Sequence, residues 1–195
     1  MTETGALWAI VLAAGEGSRM AKLTRAIYGK EMPKQFAALD GDDTFLQRTI
    51  DRVTHLVPPE RTVVVVAESF EELAREQLAR WPGMVVVGQP RNVGTLPGLL
   101  LPLAHVLARD PHARVAVFPS DHHVRDVVPF VEAVRRAIDT VDRVPARLVL
   151  VGARADRAAT DLGWVQGGRV IGRGARIVQR FVEKPPQERA SALLA

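Results

Sequence analysis

The chain has 195 residues and no cysteine; 47% of its residues are apolar, 25% are charged, and its formal net charge is +4. This composition suits a globular domain with a full apolar core, and it excludes disulfides, thiolate metal sites and cysteine nucleophiles. No apolar run approaches the roughly 18 residues that a membrane span needs. Residues 1–4 lack the basic start of a secretory signal, so we expect a cytoplasmic protein that does not bind membranes.

The positive charge does not indicate a nucleic-acid partner. The arginines are scattered and Tyr28 is the only tyrosine, whereas nucleic-acid binders usually carry a basic stripe interleaved with aromatic residues. An anionic small-molecule ligand fits the charge as well.

Apolar runs alternate with amphipathic segments over the first three quarters of the chain. The apolar runs predict buried strands at residues 7–13, 62–67, 84–87, 114–118 and 148–152. Helical spacing predicts helices at residues 45–56, 69–80, 95–109 and 129–141, the second of them opened by a capping box at Ser69-Phe70-Glu71-Glu72.

Short β-like runs at residues 165–166, 169–171 and 177–182 predict edge strands or a small antiparallel addition. Strands that alternate with helices imply a mostly parallel central sheet covered on both faces, which is a three-layer α/β sandwich. We expect residues 1–195 to form a single domain.

Ligands of such sheets bind beyond the carboxyl ends of the strands. Segments 14–19, 89–95 and 119–123 follow the first, third and fourth predicted strands, so we expect them to converge at one edge. In the first segment, Gly15 and Gly17 allow a sharp turn whose N–H groups can bind an anion. Arg19 and the nearby Lys34 add positive charge suited to phosphate. The alternative is an ordinary strand-to-helix turn.

The second and third segments carry groups suited to a base and a metal. Gln89 offers a donor and an acceptor side by side, and Gly94 permits close approach of the backbone; the alternative is a turn in which Thr95 caps a helix. Asp121 can hold Mg²⁺ together with substrate phosphates, unless it is a turn or capping aspartate. The neighbouring His122 and His123 diverge in direction, which disfavours a zinc site.

Near the end of the chain, Glu183 and Lys184 lie side by side at a predicted strand end. They can bond sugar hydroxyls and a sugar phosphate, and the alternative is a solvated charged pair before a proline.

These motifs form an ordered set that spans nearly the whole chain. The set is Leu12-Ala13-Ala14-Gly15-x-Gly17-x-Arg19, Pro33-Lys34-Gln35-Phe36, Gln89-Pro90-x-Asn92-x-Gly94-Thr95, Pro119-x-Asp121-His122, Thr160-x-x-Gly163-Trp164 and Glu183-Lys184-Pro185. It resembles the sugar-1-phosphate nucleotidyltransferases, and within them it is most similar to the mannose-1-phosphate guanylyltransferases.

The resemblance implies a Rossmann-like fold of the nucleotide-diphospho-sugar transferase type and a Mg²⁺-dependent reaction. A hexose 1-phosphate, mannose 1-phosphate in this branch, attacks the α-phosphorus of a nucleoside triphosphate, here GTP. Pyrophosphate leaves and a nucleotide-sugar remains. Catalysis of this kind depends on positioning and charge neutralisation.

The resemblance also assigns roles by matching position. The phosphate-binding backbone comprises Ala14, Gly15, Gly17 and Ser18, with Arg19 on the departing pyrophosphate and Lys34 on the α-phosphate and the sugar phosphate. Gln89 and Gly94 face the guanine, in a loop that also contains Asn92 and Thr95. Asp121 holds Mg²⁺, and Gly163, Glu183 and Lys184 contact the sugar.

The chain departs from the family most clearly in length. The family continues beyond the Glu-Lys-Pro motif, whereas this sequence ends at Ala195, so we expect it to lack the C-terminal part that is usual in the family. The alternative function is therefore a shortened nucleotide-binding module without turnover.

Overall fold

A computed structural model describes residues 5–15, 17, 20–91, 94–172 and 174–194. In these ranges the strands are β1 (Leu7–Ala13), β2 (Thr62–Ala67), β3 (Val85–Gln89), β4 (Arg114–Pro119), β5 (Gly163–Ile171) and β6 (Ala175–Glu183). The α-helices are α1 (Ala21–Tyr28), α2 (Phe45–Thr54), α3 (Glu71–Gln77), α4 (Thr95–Leu107), α5 (Val127–Arg143) and α6 (Gln187–Leu194). The chain divides into two compact units, residues 1–131 and 132–195; the single-domain expectation stays a prediction.

A parallel four-stranded sheet forms the centre of the first unit, in the order β3-β2-β1-β4. Val11 of β1 is in register with Val64 of β2 and with Phe118 of β4. The valines of β2 are fully buried, because a parallel strand with crossover helices on both sides has no face left for water.

Helices cover both faces of this sheet. Trp8, Ile10, Val63 and Val65 form one apolar cluster with Val106 of α4. Since side chains alternate along a strand, Val11, Val64 and Val66 point to the opposite face, where α2 contacts β1 and α3 contacts β2 and β3. The predicted three-layer α/β sandwich with a mostly parallel sheet is confirmed.

The second unit contains an antiparallel hairpin of β5 and β6, in which Trp164 is in register with Val182. Trp164 Nε1 donates a hydrogen bond to the carbonyl oxygen of Ala159 at 2.8 Å, which ties the preceding loop to the hairpin. The predicted antiparallel addition is therefore confirmed, with longer strands than the sequence suggested.

The strand predicted at residues 148–152 is wrong. The segment is irregular, and Leu148 is 97% exposed. A strand needs a neighbour to pair its N–H and C=O groups, and within the described residues the two sheets comprise only β1–β4 and β5–β6. An apolar run indicates a local preference for the strand conformation. It does not indicate whether a partner strand lies beside it.

The capping box predicted at Ser69 is also wrong. Residues Glu68–Phe70 form a short 3₁₀ turn, and α3 starts at Glu71 after Phe70, which makes no side-chain cap. Ser69 lies inside that turn, one residue before the capping position, which Phe70 occupies. The chain forms a capping box instead at Thr44, whose side chain accepts from Gln47 N at 3.2 Å.

Helix α1 was not predicted from the sequence. Leu23 and Ile27 are exposed, and Thr24 is its buried residue. In the part of the chain that the structure describes, no helix is both long and apolar enough to cross a membrane.

Candidate functional site

The carboxyl ends of three parallel strands carry the predicted ligand-binding segments. Strands β1, β3 and β4 end at Ala13, Gln89 and Pro119, and their parallel pairing places these ends at one edge of the sheet. Ser18, Arg19 and Asn92 were also predicted here, but they lie outside the described residues.

Gln35 fixes the loop that follows β1. Its buried side chain donates from Nε2 to the carbonyl oxygens of Ala13 at 2.7 Å and Gly15 at 2.8 Å. Gly17 has φ +63°, and a Cβ there would lie 2.6 Å from the backbone nitrogen of Lys34. The loop therefore needs glycine at position 17 both for its backbone conformation and for its close packing against the Pro33–Gln35 segment.

Lys34 and Asp121 meet at this edge although 87 residues separate them. Lys34 Nζ donates to the carbonyl oxygen of Asp121 at 2.9 Å and lies 3.8 Å from its Oδ2. The ammonium also lies 4.9 Å from the ring centroid of Phe45, within range of a cation–π interaction. Both charged side chains remain partly exposed, so they are accessible to an anionic ligand and its metal ion.

Two polar side chains of α2 hold the segment that carries Asp121. Thr49 Oγ1 donates to the carbonyl oxygen of Ser120 at 3.3 Å, and Arg52 Nη2 donates to that of His122 at 3.0 Å. Arg52 also donates to Thr49 Oγ1 at 2.9 Å. Burial lowers the pKa of Arg52. These contacts fix the backbone on both sides of Asp121.

The sequence reasoning missed Thr49 and Arg52. The sequence signal that could have found them is their position in the helix. They lie beside the apolar residues Leu46, Ile50 and Val53, which are fully buried. A buried polar side chain must find a hydrogen-bond partner, so polar residues next to a predicted core stripe mark groups that support another segment.

A cavity of about 500 Å³ opens beside the ends of β1, β2 and β3. Its lining residues are Ala14, Gly15, Ala67, Glu68, Ser69, Phe70, Gln89 and Pro90. Gln89 is 6% exposed, and its Nε2 has no hydrogen-bond partner among the described residues. A buried donor left without a partner costs about 1–3 kcal/mol, so this amide is suited to a ligand acceptor in the cavity.

Gly94 and Thr95 form the start of α4. Gly94 precedes the helix with φ +98°, a conformation that favours glycine, and Thr95 is the first helical residue. The alternative in which Thr95 caps the helix is wrong, because the capping position belongs to Gly94.

In the second unit, the predicted sugar-binding residues lie together at one end of the β5–β6 hairpin. Gly163 is in register with Glu183, and Lys184 N donates to the carbonyl oxygen of Leu162 at 3.2 Å. A Cβ at Gly163 would lie 2.9 Å from Glu183 Oε2, so glycine makes room for that carboxylate. Lys184 has φ +42°, a strained conformation for a residue with a side chain.

No group of three or more His, Asp and Glu side chains in the described ranges is arranged to hold a metal ion. Asp121 offers one carboxylate, which lies 3.9 Å from His122 Nε2. Mg²⁺ is usually bound by one or two carboxylates together with substrate phosphates and water. A single carboxylate beside the Lys34 ammonium fits that pattern.

Comparison with known proteins identifies the family. The Nucleotidyl transferase family matches residues 8–195. A mannose-1-phosphate guanylyltransferase of Salmonella muenchen is 33% identical over 182 residues, which are 90% of this chain and 37% of that protein. XanB, a xanthan biosynthesis protein of Xanthomonas campestris pv. campestris (strain ATCC 33913), is 32% identical over 189 residues, 95% of this chain and 38% of that protein.

A solved structure agrees with this result. A Thermus thermophilus protein described as a mannose-1-phosphate geranyltransferase superimposes with a TM-score of 0.85 at 30% identity, over 96% of this chain and 53% of that one. The chain thus spans 37–38% of the two curated relatives' length. The resemblance drawn from the sequence motifs is confirmed: the chain belongs to the nucleotidyl transferase family.

Proposed function

We propose that this chain binds GTP at the carboxyl edge of its parallel sheet and transfers GMP to mannose 1-phosphate, releasing pyrophosphate. The observation that carries the proposal is the meeting of Lys34 with Asp121 at 2.9 Å, at the same edge as the cavity that Gln89 lines. The name of the Salmonella relative, a mannose-1-phosphate guanylyltransferase, supports the nucleotidyl transfer and this choice of base and sugar.

The reaction requires little covalent chemistry from the protein. A phosphate oxygen of the sugar 1-phosphate forms a bond to the α-phosphorus, and the bond from that phosphorus to the oxygen bridging to the β-phosphate breaks. The electron pair leaves with pyrophosphate. Because charge accumulates on the phosphate oxygens, the protein acts by holding both reactants and by supplying positive charge.

The first unit supplies the groups for the triphosphate. Lys34 binds the α-phosphate and the attacking sugar phosphate, exchanging its contact with the Asp121 carbonyl oxygen for phosphate oxygens. The backbone of Ala14, Gly15 and Gly17, together with Ser18, cradles the triphosphate in the loop that Gln35 holds. Arg19 neutralises the departing pyrophosphate, since a guanidinium binds two phosphate oxygens at once.

Asp121 would hold the Mg²⁺ ion together with the phosphates. The ion supplies neutralisation of the triphosphate charge. The described donors support this role, because a single carboxylate leaves the other coordination positions for phosphate oxygens and water.

The base and the sugar are assigned to separate groups of residues. Gln89 and Gly94 face the base, and Asn92 and Thr95 are assigned to the same nucleotide. Gly163, Glu183 and Lys184 contact the sugar. The Glu183 carboxylate accepts hydrogen bonds from sugar hydroxyls, and Lys184 binds the sugar phosphate.

The test is pyrophosphate release by the purified chain with GTP, Mg²⁺ and mannose 1-phosphate, with the nucleotide-sugar identified by mass. We expect release to depend on both substrates, and the reaction without the sugar phosphate is the control. Parallel reactions with other triphosphates and hexose 1-phosphates test base and sugar.

If no pyrophosphate is released, calorimetric titration with GTP distinguishes binding without turnover from absence of binding. Binding without turnover under any substrate pair would favour the shortened nucleotide-binding module. Absence of binding by any nucleoside triphosphate would contradict both functions.

A further inference from the structure

We propose that Glu68 is a second side chain that reads the base, and that Glu68 and Gln89 together select guanine. The inference rests on the proposed function, because it concerns the nucleotide that this edge of the sheet binds. The inference adds to the proposed function a specificity residue that lies in none of the sequence motifs.

The sheet register brings Glu68 and Gln89 to neighbouring positions. Ala67, the last residue of β2, is in register with Gln89, the last residue of β3. Glu68 follows Ala67 directly and opens the short 3₁₀ turn at the strand end. A Cβ at Gly88 would lie 3.5 Å from the Glu68 Cα, so the two strand ends are closely packed where these residues face the cavity.

Both residues line the cavity of about 500 Å³ at this edge. The Gln89 amide contributes the buried Nε2 that lacks a partner among the described residues. Glu68 contributes a carboxylate. An ionised carboxylate accepts hydrogen bonds and donates none. Glu71 is the next acidic residue along the chain, but its carboxylate pairs with Arg75 at 2.6 Å. Among the described residues that line the cavity, Glu68 is the one that carries an acidic side chain.

A donor beside a carboxylate matches the edge of guanine. Guanine presents the O6 acceptor next to two donors, N1–H and the N2 amino group. The Gln89 amide can donate to O6 while the Glu68 carboxylate accepts from N1–H and N2–H. Adenine reverses the pattern, with an amino donor at position 6 and an acceptor at N1. The carboxylate would then face a ring nitrogen lone pair, and such a repulsive contact contributes to selectivity.

The test pairs one substitution with one change in the ligand. Glu68→Gln removes the charge and keeps the shape, and inosine triphosphate differs from GTP by lacking the N2 amino group. We expect wild-type protein to bind GTP more tightly than inosine triphosphate or ATP in calorimetric titrations with Mg²⁺. Glu68→Gln should weaken GTP about tenfold to a hundredfold, the range for a hydrogen bond to a charged group. It should weaken inosine triphosphate much less and leave ATP unchanged or tighter.

Glu72→Gln is the matched control, because it removes the same charge from an exposed position in the first turn of α3. It should leave all three affinities unchanged. Glu68→Asp, which keeps the charge on a shorter side chain, should retain the order of the three ligands with weaker GTP binding. Thermal unfolding of each variant gives the folded fraction used in the titrations.

The outcomes separate the inference from the proposed function. If wild-type protein binds GTP and Glu68→Gln leaves the ratio of GTP to inosine triphosphate affinity unchanged, Glu68 does not read the base and the proposed function stands. If wild-type protein binds no nucleoside triphosphate, the proposed function and this inference both fail. If Glu68→Gln loses affinity for GTP alone, the result supports both the inference and the proposed function.

Discussion

The sheet edge of the first unit and the hairpin end of the second unit hold their predicted site residues in different ways. At the sheet edge, Lys34 and Asp121 come from distant parts of the sequence. Buried Thr49 and Arg52 hold the backbone on either side of Asp121, and buried Gln35 holds the loop after β1. At the hairpin end, Gly163 and Glu183 are strand partners, Lys184 follows directly, and the side chains of Glu183 and Lys184 are exposed.

This difference predicts how each region responds to substitution. A site held by long-range buried hydrogen bonds loses geometry and stability together when a supporting group is removed. A site held by adjacent residues of one hairpin can lose ligand contacts with little change in stability. Substitutions in the two regions therefore test the comparison.

The largest effect is expected for Asp121→Asn. It keeps the shape of the side chain and removes the carboxylate that would hold Mg²⁺. Charge stabilisation by a metal ion is worth several kcal/mol in a transition state, so turnover should fall about a hundredfold or more. Pyrophosphate release measures the loss, with Asp42→Asn as a control at an exposed carboxylate. Unchanged turnover would remove Asp121 from the metal site.

The second prediction concerns the support behind Asp121. Arg52→Met removes the hydrogen bond to the His122 carbonyl oxygen and leaves that group without its partner. We expect a loss of about 1–3 kcal/mol in the free energy of unfolding, measured in urea, together with a lower kcat. Arg52→Lys should lower the free energy of unfolding and kcat less than Arg52→Met does, since an ammonium can still donate to a carbonyl oxygen.

Arg25→Met is the matched control for this prediction. Arg25 pairs with Glu31 at 2.7 Å, but both side chains are largely exposed, and such pairs contribute about 0–1 kcal/mol. If Arg25→Met and Arg52→Met lower the free energy of unfolding equally, the buried contacts of α2 do not give the site the support that we infer from the geometry.

The sequence predicted the sheet edge better than its supports, for a physical reason. Gly15, Gln89 and Asp121 lie at or just after the end of an apolar run that predicts a strand, which is a local signal. The parallel topology then brings the strand ends together. The Lys34–Asp121 contact has no local signal, and only the ordered motifs suggested it. Thr49 and Arg52 bind backbone carbonyl groups, which every residue carries, so their partners leave no trace in the sequence.

The error at residues 148–152 has the same origin. Whether an apolar segment becomes a strand depends on a neighbour that lies elsewhere in the chain. The hairpin of β5 and β6 was predictable because its strands are close in sequence and bring their own partners.

A smaller effect is expected for Gly163→Ala in the hairpin. The added Cβ would lie 2.7 Å from Phe181 Cζ and 2.9 Å from Glu183 Oε2, so both side chains must shift. Because these atoms are the ends of side chains, we expect little loss of stability and an increase of about threefold to tenfold in KM for mannose 1-phosphate, with unchanged GTP affinity. Gly168→Ala, where a Cβ would make an ordinary contact at 3.5 Å, is the control. An equal loss of GTP affinity would contradict a separate sugar-binding role for the hairpin.

The smallest change is expected for Lys184→Asn, which should move stability and activity in opposite directions. Lys184 has φ +42°, and asparagine adopts this left-handed region more readily than lysine does. Release of strain should raise the free energy of unfolding by up to about 1 kcal/mol. Loss of the ammonium should raise KM for mannose 1-phosphate, because the sugar phosphate loses its cation. Lys30→Asn removes the same charge from a position without positive φ and should change neither quantity. A variant that is both less stable and fully active would mean that the backbone at position 184 is kept for the fold of the hairpin rather than for the sugar.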